Sequence, residues 1–212
     1  MEPALLRRAL GRTLNLPAAP PPDIAAEAVA APAGTREAAA LAPGDQIPAA
    51  VLVALLSGPA PGVLLTVRAA TLSRHPGQVA FPGGRIEASD ATIEAAALRE
   101  AEEEVGIPPA SVELLGRLPD HVTGTGFRVS PVVGILPAAT PLRPSADEVA
   151  ATFVLPLSVL LDPAAPRRET MLLRGVPRAF WVWPHETHRI WGATAAILVA
   201  LADKLRAGGA AP

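Results

Sequence analysis

The chain of 212 residues contains no cysteine and no tyrosine, and only 3% of its residues are aromatic. Without cysteine, a disulfide framework, a thiolate nucleophile and a cysteine-ligated metal are all excluded. Without tyrosine, no phenol is available as a catalytic acid or as a stacking platform. Half of the residues are nevertheless hydrophobic, so the core is expected to consist mainly of Ala, Val, Leu and Ile.

The chain also has no excess of positive charge, with a formal net charge of -2 and a pI near 6.1. Nucleic acid is therefore not expected as a partner, because its phosphates are normally met by a Lys/Arg surface. The longest apolar run, Ala193 to Ala202, is shorter than the roughly 20 residues that span a bilayer. It predicts a core helix, and no membrane partner is expected. No secretory signal pattern is visible, so the cytoplasm is the expected location.

The length suits one well-buried core with an extension. Residues 1–46 are interpreted as an N-terminal helix, within residues 1–14, followed by an Ala/Pro-rich extension. Residues 47–206 form the predicted main domain, and residues 207–212 a flexible tail.

Hydrophobic periodicity and turn residues predict a mixed α/β domain. A Gly/Pro turn cluster over residues 57–61 separates the first two predicted strands. The predicted strands are 50–56, 62–68, 79–81, 112–118, 127–136 and a strand around 152–155, and the two principal helices are 91–105 and 190–205.

The helix predicted over residues 91–105 carries Glu100, Glu103 and Glu104 at i, i+3 and i+4, so these three carboxylates share one face. Leu98, Ala101 and Val105 lie roughly opposite, and Glu102 falls toward that apolar side. Carboxylate oxygens on a rigid element, together with phosphate oxygens from a substrate, are what Mg²⁺ or Mn²⁺ needs. The helix therefore predicts a divalent-metal site for phosphate chemistry.

A bare run of acids is usually only a solvated helix face. Here the run has flanks that argue for a site. Gly83 and Gly84 allow close approach of the backbone to a ligand, Asp90 is placed to cap the first helical turn, and Gly106 suits the left-handed turn at the helix end.

These residues resemble a known family. Gly84, Arg99-Glu100-Ala101, Glu103-Glu104 and Gly106-Ile107 are similar to the Nudix box of the Nudix hydrolases. The box departs from the usual pattern, because the expected glutamate is Asp90 and one extra residue precedes Arg99. Such an insertion is a feature of the coenzyme A pyrophosphatase branch.

A second stretch resembles the coenzyme A signature of the same branch. It runs from Leu64 through Arg68, His75 and Gly77 to the turn at Phe81-Pro82-Gly83-Gly84. The branch often has a basic residue where this chain has Ser73, with Arg74 next to it. Later segments extend the resemblance over about residues 45–205: 126–134, 147–149 and 190–195.

The resemblance implies an α/β/α sandwich around a mixed sheet, with Mg²⁺ or Mn²⁺ as cofactor. It implies metal binding by Glu100, Glu103, Glu104 and the Gly84 carbonyl, and orientation of the acids by Arg99. Glu148 is the candidate base. Arg99, Glu103 and Glu148 thus form the expected catalytic set. Substrate-binding residues are expected to be Arg68, His75, Gly77 and Phe81.

The implied reaction is hydrolysis of the diphosphate bond of coenzyme A, or a derivative, to 3',5'-ADP and 4'-phosphopantetheine or its acyl form. Two alternatives stay open: a Nudix diphosphatase for ADP-ribose or a dinucleotide, and a nucleotide-sensing module without catalysis. A zinc site at His185 and His188 is disfavoured because the pair falls in an expected turn. A serine hydrolase is disfavoured because no Gly-x-Ser-x-Gly elbow is present. The partner is expected to be a small nucleotide, and a homodimer is left open.

Overall fold

A computed structural model describes residues 3–11, 14, 46–173 and 176–210 of the chain. The helices are α1 Pro3–Gly11, α2 Ile93–Val105, α3 Leu157–Leu161 and α4 Gly192–Ala207, with a short 3-10 turn at Pro109–Ser111. The strands are β1 Ile47–Ser57, β2 Gly62–Arg68, β3 Val79–Ala80, β4 Gly83–Arg85, β5 Glu113–Arg117, β6 His121–Val122, β7 Phe127–Pro137, β8 Val149–Pro156, β9 Arg167–Leu173, β10 Val176–Trp183 and β11 Ile190–Trp191.

The main sheet has eight strands and is mixed. Its centre is a parallel pair, β1 and β7, in continuous register from Ile47 opposite Phe127 to Ser57 opposite Pro137. The other pairings in this sheet are antiparallel, with β8 lying beside β2 and β5 beside β7. The predicted fold class, a mixed α/β domain, is confirmed.

Alternate residues of β1 separate the core into two layers, because successive side chains of a strand point to opposite faces. Leu52 and Ala54 pack with the apolar face of α2. Val53 and Leu55 pack on the other side with α1, α3 and α4. Helices therefore cover both faces of the sheet, which gives the expected α/β/α sandwich.

The first two strands diverge, and this divergence positions the glycine turn. The end of β1 pairs with β2 through Leu55 opposite Val63, while its beginning pairs with β4 through Ala50 opposite Gly84. The segment from Val79 to Arg85 therefore fills the opening between β1 and β2.

The predicted strands at residues 50–56, 62–68, 112–118 and 127–136 are confirmed, with ends that differ by up to three residues. The helix predicted over 190–205 begins later, at Gly192, because Ile190 pairs with Trp183 as part of β11. The antiparallel hairpin of β9 and β10 had no counterpart in the sequence prediction.

The predicted N-terminal helix lies at Pro3–Gly11 and packs on the main domain. Leu6 and Leu10 are fully buried. The Arg7 guanidinium donates to both carboxylate oxygens of Glu113 on β5, at 2.7 Å each. Most of the Ala/Pro-rich extension, residues 15–45, lies outside the described residues.

The run Ala193–Ala202 forms part of α4, as predicted, and its buried residues include Ile197, Leu198 and Leu201. No helix in the described part of the chain is long and apolar enough to cross a membrane.

Candidate active site

The glycine turn comes so close to its neighbours that it leaves no room for side chains. Gly83 has a φ of 156°, and a Cβ there would collide with the backbone carbonyl of Ala50. A Cβ on Gly84 would lie 2.5 Å from the carboxylate of Glu100. The turn therefore brings its backbone directly against the acidic face of α2.

Helix α2 begins and ends at well-defined caps. The side chain of Thr92 accepts a hydrogen bond from the Ala95 N–H at 3.0 Å, which satisfies one of the free donors of the first turn. Gly106 closes the helix with a φ of 69°, the left-handed conformation that glycine adopts easily. Ala97, Ala101 and Val105 are fully buried against the sheet.

The acids of α2 differ in burial. Glu104 is only 4% exposed, whereas Glu103 is largely exposed. Glu102 is also exposed, so its predicted position toward the apolar side is wrong. Two acids separated by two positions, Glu102 and Glu104, thus have very different environments.

Glu104 lies at the junction of the turn, the helix and β2. Its Oε2 accepts a hydrogen bond from the Gly83 N–H at 3.2 Å, and its Oε1 lies 3.8 Å from Nη1 of Arg68. Burial raises the pKa of the Glu104 carboxyl to about 7, with these two partners opposing the shift and the nearby charges of Glu148 and Glu100 adding to it.

Arg99 connects the acids to one another and to the turn. Its Nη1 lies 3.0 Å from Glu100 Oε1 and 3.0 Å from Glu103 Oε2. Its Nη2 donates to the backbone carbonyl of Arg85 at 3.1 Å. Arg99 therefore holds two of the three expected metal-binding carboxylates in a fixed geometry.

Asp90 does not cap α2, so the capping role predicted for it is wrong. Its carboxylate instead accepts two hydrogen bonds from Arg99, at 3.0 and 3.1 Å, and one from the Glu87 N–H at 2.8 Å. The hydrogen bond from Arg99, with that from Glu87, keeps the pKa of Asp90 below its usual range. Thr92, two residues further on, is the N-cap.

Glu148 contributes charge to the same region from the loop before β8. Its carboxylate is among the causes that raise the pKa of both Glu100 and Glu104. Its backbone carbonyl accepts from the Ala69 N–H at 2.8 Å, which ties this loop to the end of β2. The loop thus faces the acidic side of α2.

The side chains fit a hard divalent cation by their chemistry, although their present arrangement is not a coordination shell. Burial, followed by the charges of Glu103 and Glu148, raises the pKa of Glu100 against the opposing effect of Arg99. Clustered carboxylates that repel one another are a donor set that Mg²⁺ or Mn²⁺ would neutralise. Among the described residues, however, no three His, Asp or Glu side chains meet as a metal-binding group. Arg99 holds Glu100 and Glu103 in this arrangement.

The sequence is similar to that of known proteins. The family model described as NUDIX domain matches residues 46–188. Proteins named Uncharacterized Nudix hydrolase NudL from Salmonella newport and Salmonella enteritidis PT4 are both 48% identical over 158 residues, covering 74% of this chain and 82% of theirs. The chain belongs to the Nudix hydrolase family. Nudix hydrolases generally use divalent metal ions, in agreement with the chemistry of the acids on α2.

Solved structures are also similar to this Nudix hydrolase. A C. elegans Ap4A hydrolase binary complex has a TM-score of 0.43 at 20% identity, covering 52% of this chain and 80% of that one. The Nudix domain of Shewanella oneidensis NrtR, complexed with ADP ribose, has a TM-score of 0.43 at 21% identity, covering 55% and 76%. Since both TM-scores are below 0.5, the family assignment depends on the sequence matches.

Two of the expected substrate residues of this Nudix hydrolase belong to the loop from residue 69 to residue 78, which connects β2 to β3. The Gly77 N–H donates to the carbonyl of Arg68 at 3.1 Å, and the Arg68 N–H donates to the carbonyl of Gln78 at 3.0 Å. Gly77 has a φ of 70° and His75 a φ of 55°. Both ends of the loop are thus fixed beside Arg68, which faces Glu104.

Phe81 is placed differently from the other expected substrate residues. Its side chain is 3% exposed and packs in the core layer that faces α4. It therefore supports the glycine turn from the core side and does not line the acidic site. Gly84 packs against the carboxylate of Glu100, and Arg68 lies beside Glu104.

Rings that sequence reasoning did not connect meet beside the hairpin of β9 and β10. Phe153 lies 4.4 Å from the ring of His185 and 4.8 Å from that of His188, measured between centroids. His185 Nδ1 is 3.2 Å from the backbone N–H of His188, so this nitrogen accepts. The pair is a packed turn, and within the described residues it is not part of a metal-binding group.

Proposed function

We propose that this Nudix hydrolase is a Mg²⁺- or Mn²⁺-dependent diphosphatase for coenzyme A or its derivatives, releasing 3',5'-ADP and 4'-phosphopantetheine or its acyl form. The observation that carries the proposal is the junction at Glu104. There the acidic helix meets the glycine turn and Arg68. Arg68 in turn holds the loop that carries the coenzyme A-like signature.

The metal would be held by Glu100, Glu103 and Glu104, with the Gly84 carbonyl as a further oxygen. A bound divalent ion would polarise the phosphoryl group and lower the pKa of the attacking water. Arg99 acts as a positioning residue, because its contacts are with the acids and with the Arg85 carbonyl. Arg68 offers a partly exposed positive charge beside Glu104 that could bind a phosphate of the substrate.

Glu148 is the proposed base. Its charge contributes to the raised pKa of Glu100 and of Glu104. Unlike Glu100 and Glu103, it is not bound by Arg99. Water attacks one phosphorus of the diphosphate, its proton passes to the Glu148 carboxylate, and the bridging oxygen leaves with the other phosphate. No covalent bond to the enzyme forms in this scheme.

Product identification tests the proposal. Purified protein is incubated with coenzyme A and Mn²⁺, and the products are separated and identified by mass spectrometry. Release of 3',5'-ADP and 4'-phosphopantetheine is the expected result. Turnover of ADP-ribose or a dinucleotide in place of coenzyme A would favour the alternative diphosphatase, and binding of coenzyme A without products would favour a sensor.

A matched pair of variants connects the activity to the acidic face. Glu103→Gln should reduce turnover at least 100-fold, because a metal-binding carboxylate becomes a neutral amide. Glu102→Gln makes the same change of charge on the neighbouring exposed residue and should retain turnover within about twofold. Equal losses in both variants would contradict the assignment of the metal face.

The cytoplasmic location stays a prediction.

A further inference from the structure

A cavity of about 400 Å³ is lined by Arg74, His75, Thr125 and Phe127. One wall is the loop between β2 and β3, and the other is the turn between β6 and β7. The volume is in the range of small-molecule pockets. Of these four residues, only His75 was expected to bind substrate.

Each wall of the cavity is connected by contacts to a residue that touches the acids of α2. Its first wall is anchored by the hydrogen bonds of Gly77 and Gln78 to Arg68, which faces Glu104. On the second side, the Arg85 guanidinium lies 5.7 Å from the centre of the Phe127 ring, and the Arg85 carbonyl accepts from Arg99. Both walls of the cavity are therefore linked to the acids of α2, one through Arg68 and the other through Arg85 and Arg99.

The lining combines an aromatic ring with groups that bind anions. Phe127 offers a surface for a planar base. Arg74 is exposed and makes no ion pair within the described part of the chain, and His75 and Thr125 add hydrogen-bonding groups. An uncharged, flexible chain such as pantetheine has no need of a free guanidinium, whereas a phosphorylated nucleoside has both an aromatic base and a dianion.

We propose that this cavity binds the 3'-phosphorylated adenosine end of the substrate, with Phe127 against the base and Arg74, assisted by His75, on the 3'-phosphate. This inference rests on the proposed coenzyme A activity, since it names the part of the same substrate that the cavity holds. The diphosphate bridge then extends from the cavity toward Arg68 and α2.

Calorimetric titration of the product tests the inference directly. Wild-type protein should bind 3',5'-ADP at least tenfold more tightly than 5'-AMP, which lacks the 3'-phosphate. Arg74→Gln should abolish this preference while leaving 5'-AMP binding within about twofold. Phe127→Leu should weaken both ligands about tenfold. Arg74 is exposed, so its variant tests the inference even if Phe127→Leu fails to fold.

Arg128→Gln is the matched control, because it removes an equal charge next to Phe127 but outside the lining of the cavity. It should bind both nucleotides as wild type does. Absence of any preference in wild type, or equal losses in the Arg74 and Arg128 variants, would overturn the inference. Release of 3',5'-ADP from coenzyme A by wild type is measured separately. If no 3',5'-ADP were released, the proposed function would be wrong. If 3',5'-ADP were released but the titrations did not show the expected preference, only the assignment of the cavity would be wrong.

Discussion

Arg99 and Asp90 form a bidentate ion pair, with Nε 3.0 Å from Oδ1 and Nη2 3.1 Å from Oδ2. This geometry leaves Nη1 of the same guanidinium directed at Glu100 and Glu103. Asp90 therefore acts on the acidic face through Arg99, although it lies outside the helix. Asp90 thus fixes the orientation of the guanidinium that contacts these two acids.

Asp90→Asn should lower turnover about tenfold and leave the KM for substrate nearly unchanged, because Arg99 loses its charged anchor but substrate contacts remain. Thr92→Ala should instead affect stability. It should cost about 1 kcal/mol of unfolding free energy and change turnover little. Steady-state kinetics and urea unfolding of both variants measure the two effects. If Thr92→Ala impaired turnover as strongly as Asp90→Asn, the separation of capping from positioning would be wrong.

Gly84→Ala should reduce turnover at least 100-fold and weaken Mn²⁺ binding, because the new methyl group would lie 2.5 Å from the Glu100 carboxylate and displace it. Gly11→Ala is the control, since a Cβ at that glycine has no neighbour within 4 Å. Kinetics and a Mn²⁺ titration of both variants provide the comparison. Normal metal affinity in Gly84→Ala would show that Glu100 is not a ligand.

Glu148→Gln should lower turnover about 100-fold while sparing Mn²⁺ affinity to within about threefold, since a base is removed without a direct metal ligand. Asp147→Asn removes the same charge from the adjacent exposed residue and should leave turnover within about twofold. The measurements are turnover at saturating Mn²⁺ and the Mn²⁺ dissociation constant. Unchanged turnover in Glu148→Gln would remove this residue from the mechanism.

The stability of the fold should depend on pH through His121 on β6. Burial lowers the pKa of this imidazole from 6.5 to about 4. Between these values the unfolded chain binds a proton that the folded chain does not, so the contribution of His121 to folding falls as pH decreases. From pH 7.5 to pH 5 the loss is about 2 kcal/mol. Above pH 7.5 the imidazole is neutral in both states and contributes no pH dependence.

His121→Gln isolates this effect from other titrating groups. Urea unfolding at pH 7.5 and pH 5 is measured for both proteins. The wild type should lose about 2 kcal/mol more than the variant over this interval. Parallel pH profiles for the two proteins would contradict a neutral, desolvated His121.

Helix α2 and the central strands could be predicted from sequence because their signals are local. The apolar residues Ala97, Ala101 and Val105 recur at helical spacing, and Gly106 marks the end. The strands β1 and β2 are short apolar runs separated by a Gly/Pro turn. In each case the residue pattern and the tertiary environment favour the same structure.

The cap of α2 could not be assigned from sequence alone. Asp90 and Thr92 are both favoured N-cap residues. The choice depends on Arg99, nine residues after Asp90, whose guanidinium binds the Asp90 carboxylate. Such a partner is invisible to a rule that considers only the residues next to the helix.

The hairpin of β9 and β10 and the cavity beside Phe127 also could not be predicted from the sequence. Strand β9 begins with charged residues, Arg167, Arg168 and Glu169, which weaken the alternating apolar pattern of a strand. Burial against α4 comes from residues of β10 such as Trp183. Likewise, Arg74 and Phe127 are far apart in the chain, and they line the same cavity only because the folded sheet brings the two segments together.

The parallel pair of β1 and β7 joins residues such as Ile47 and Phe127 that are distant in the chain. Parallel pairing over a long separation is slow to form, because the entropy of closing the intervening loop is lost before the contacts are gained. Since α2 lies within that loop, its acids reach their final neighbours only when the centre of the sheet closes. The capacity to bind a cation should consequently arise late in folding.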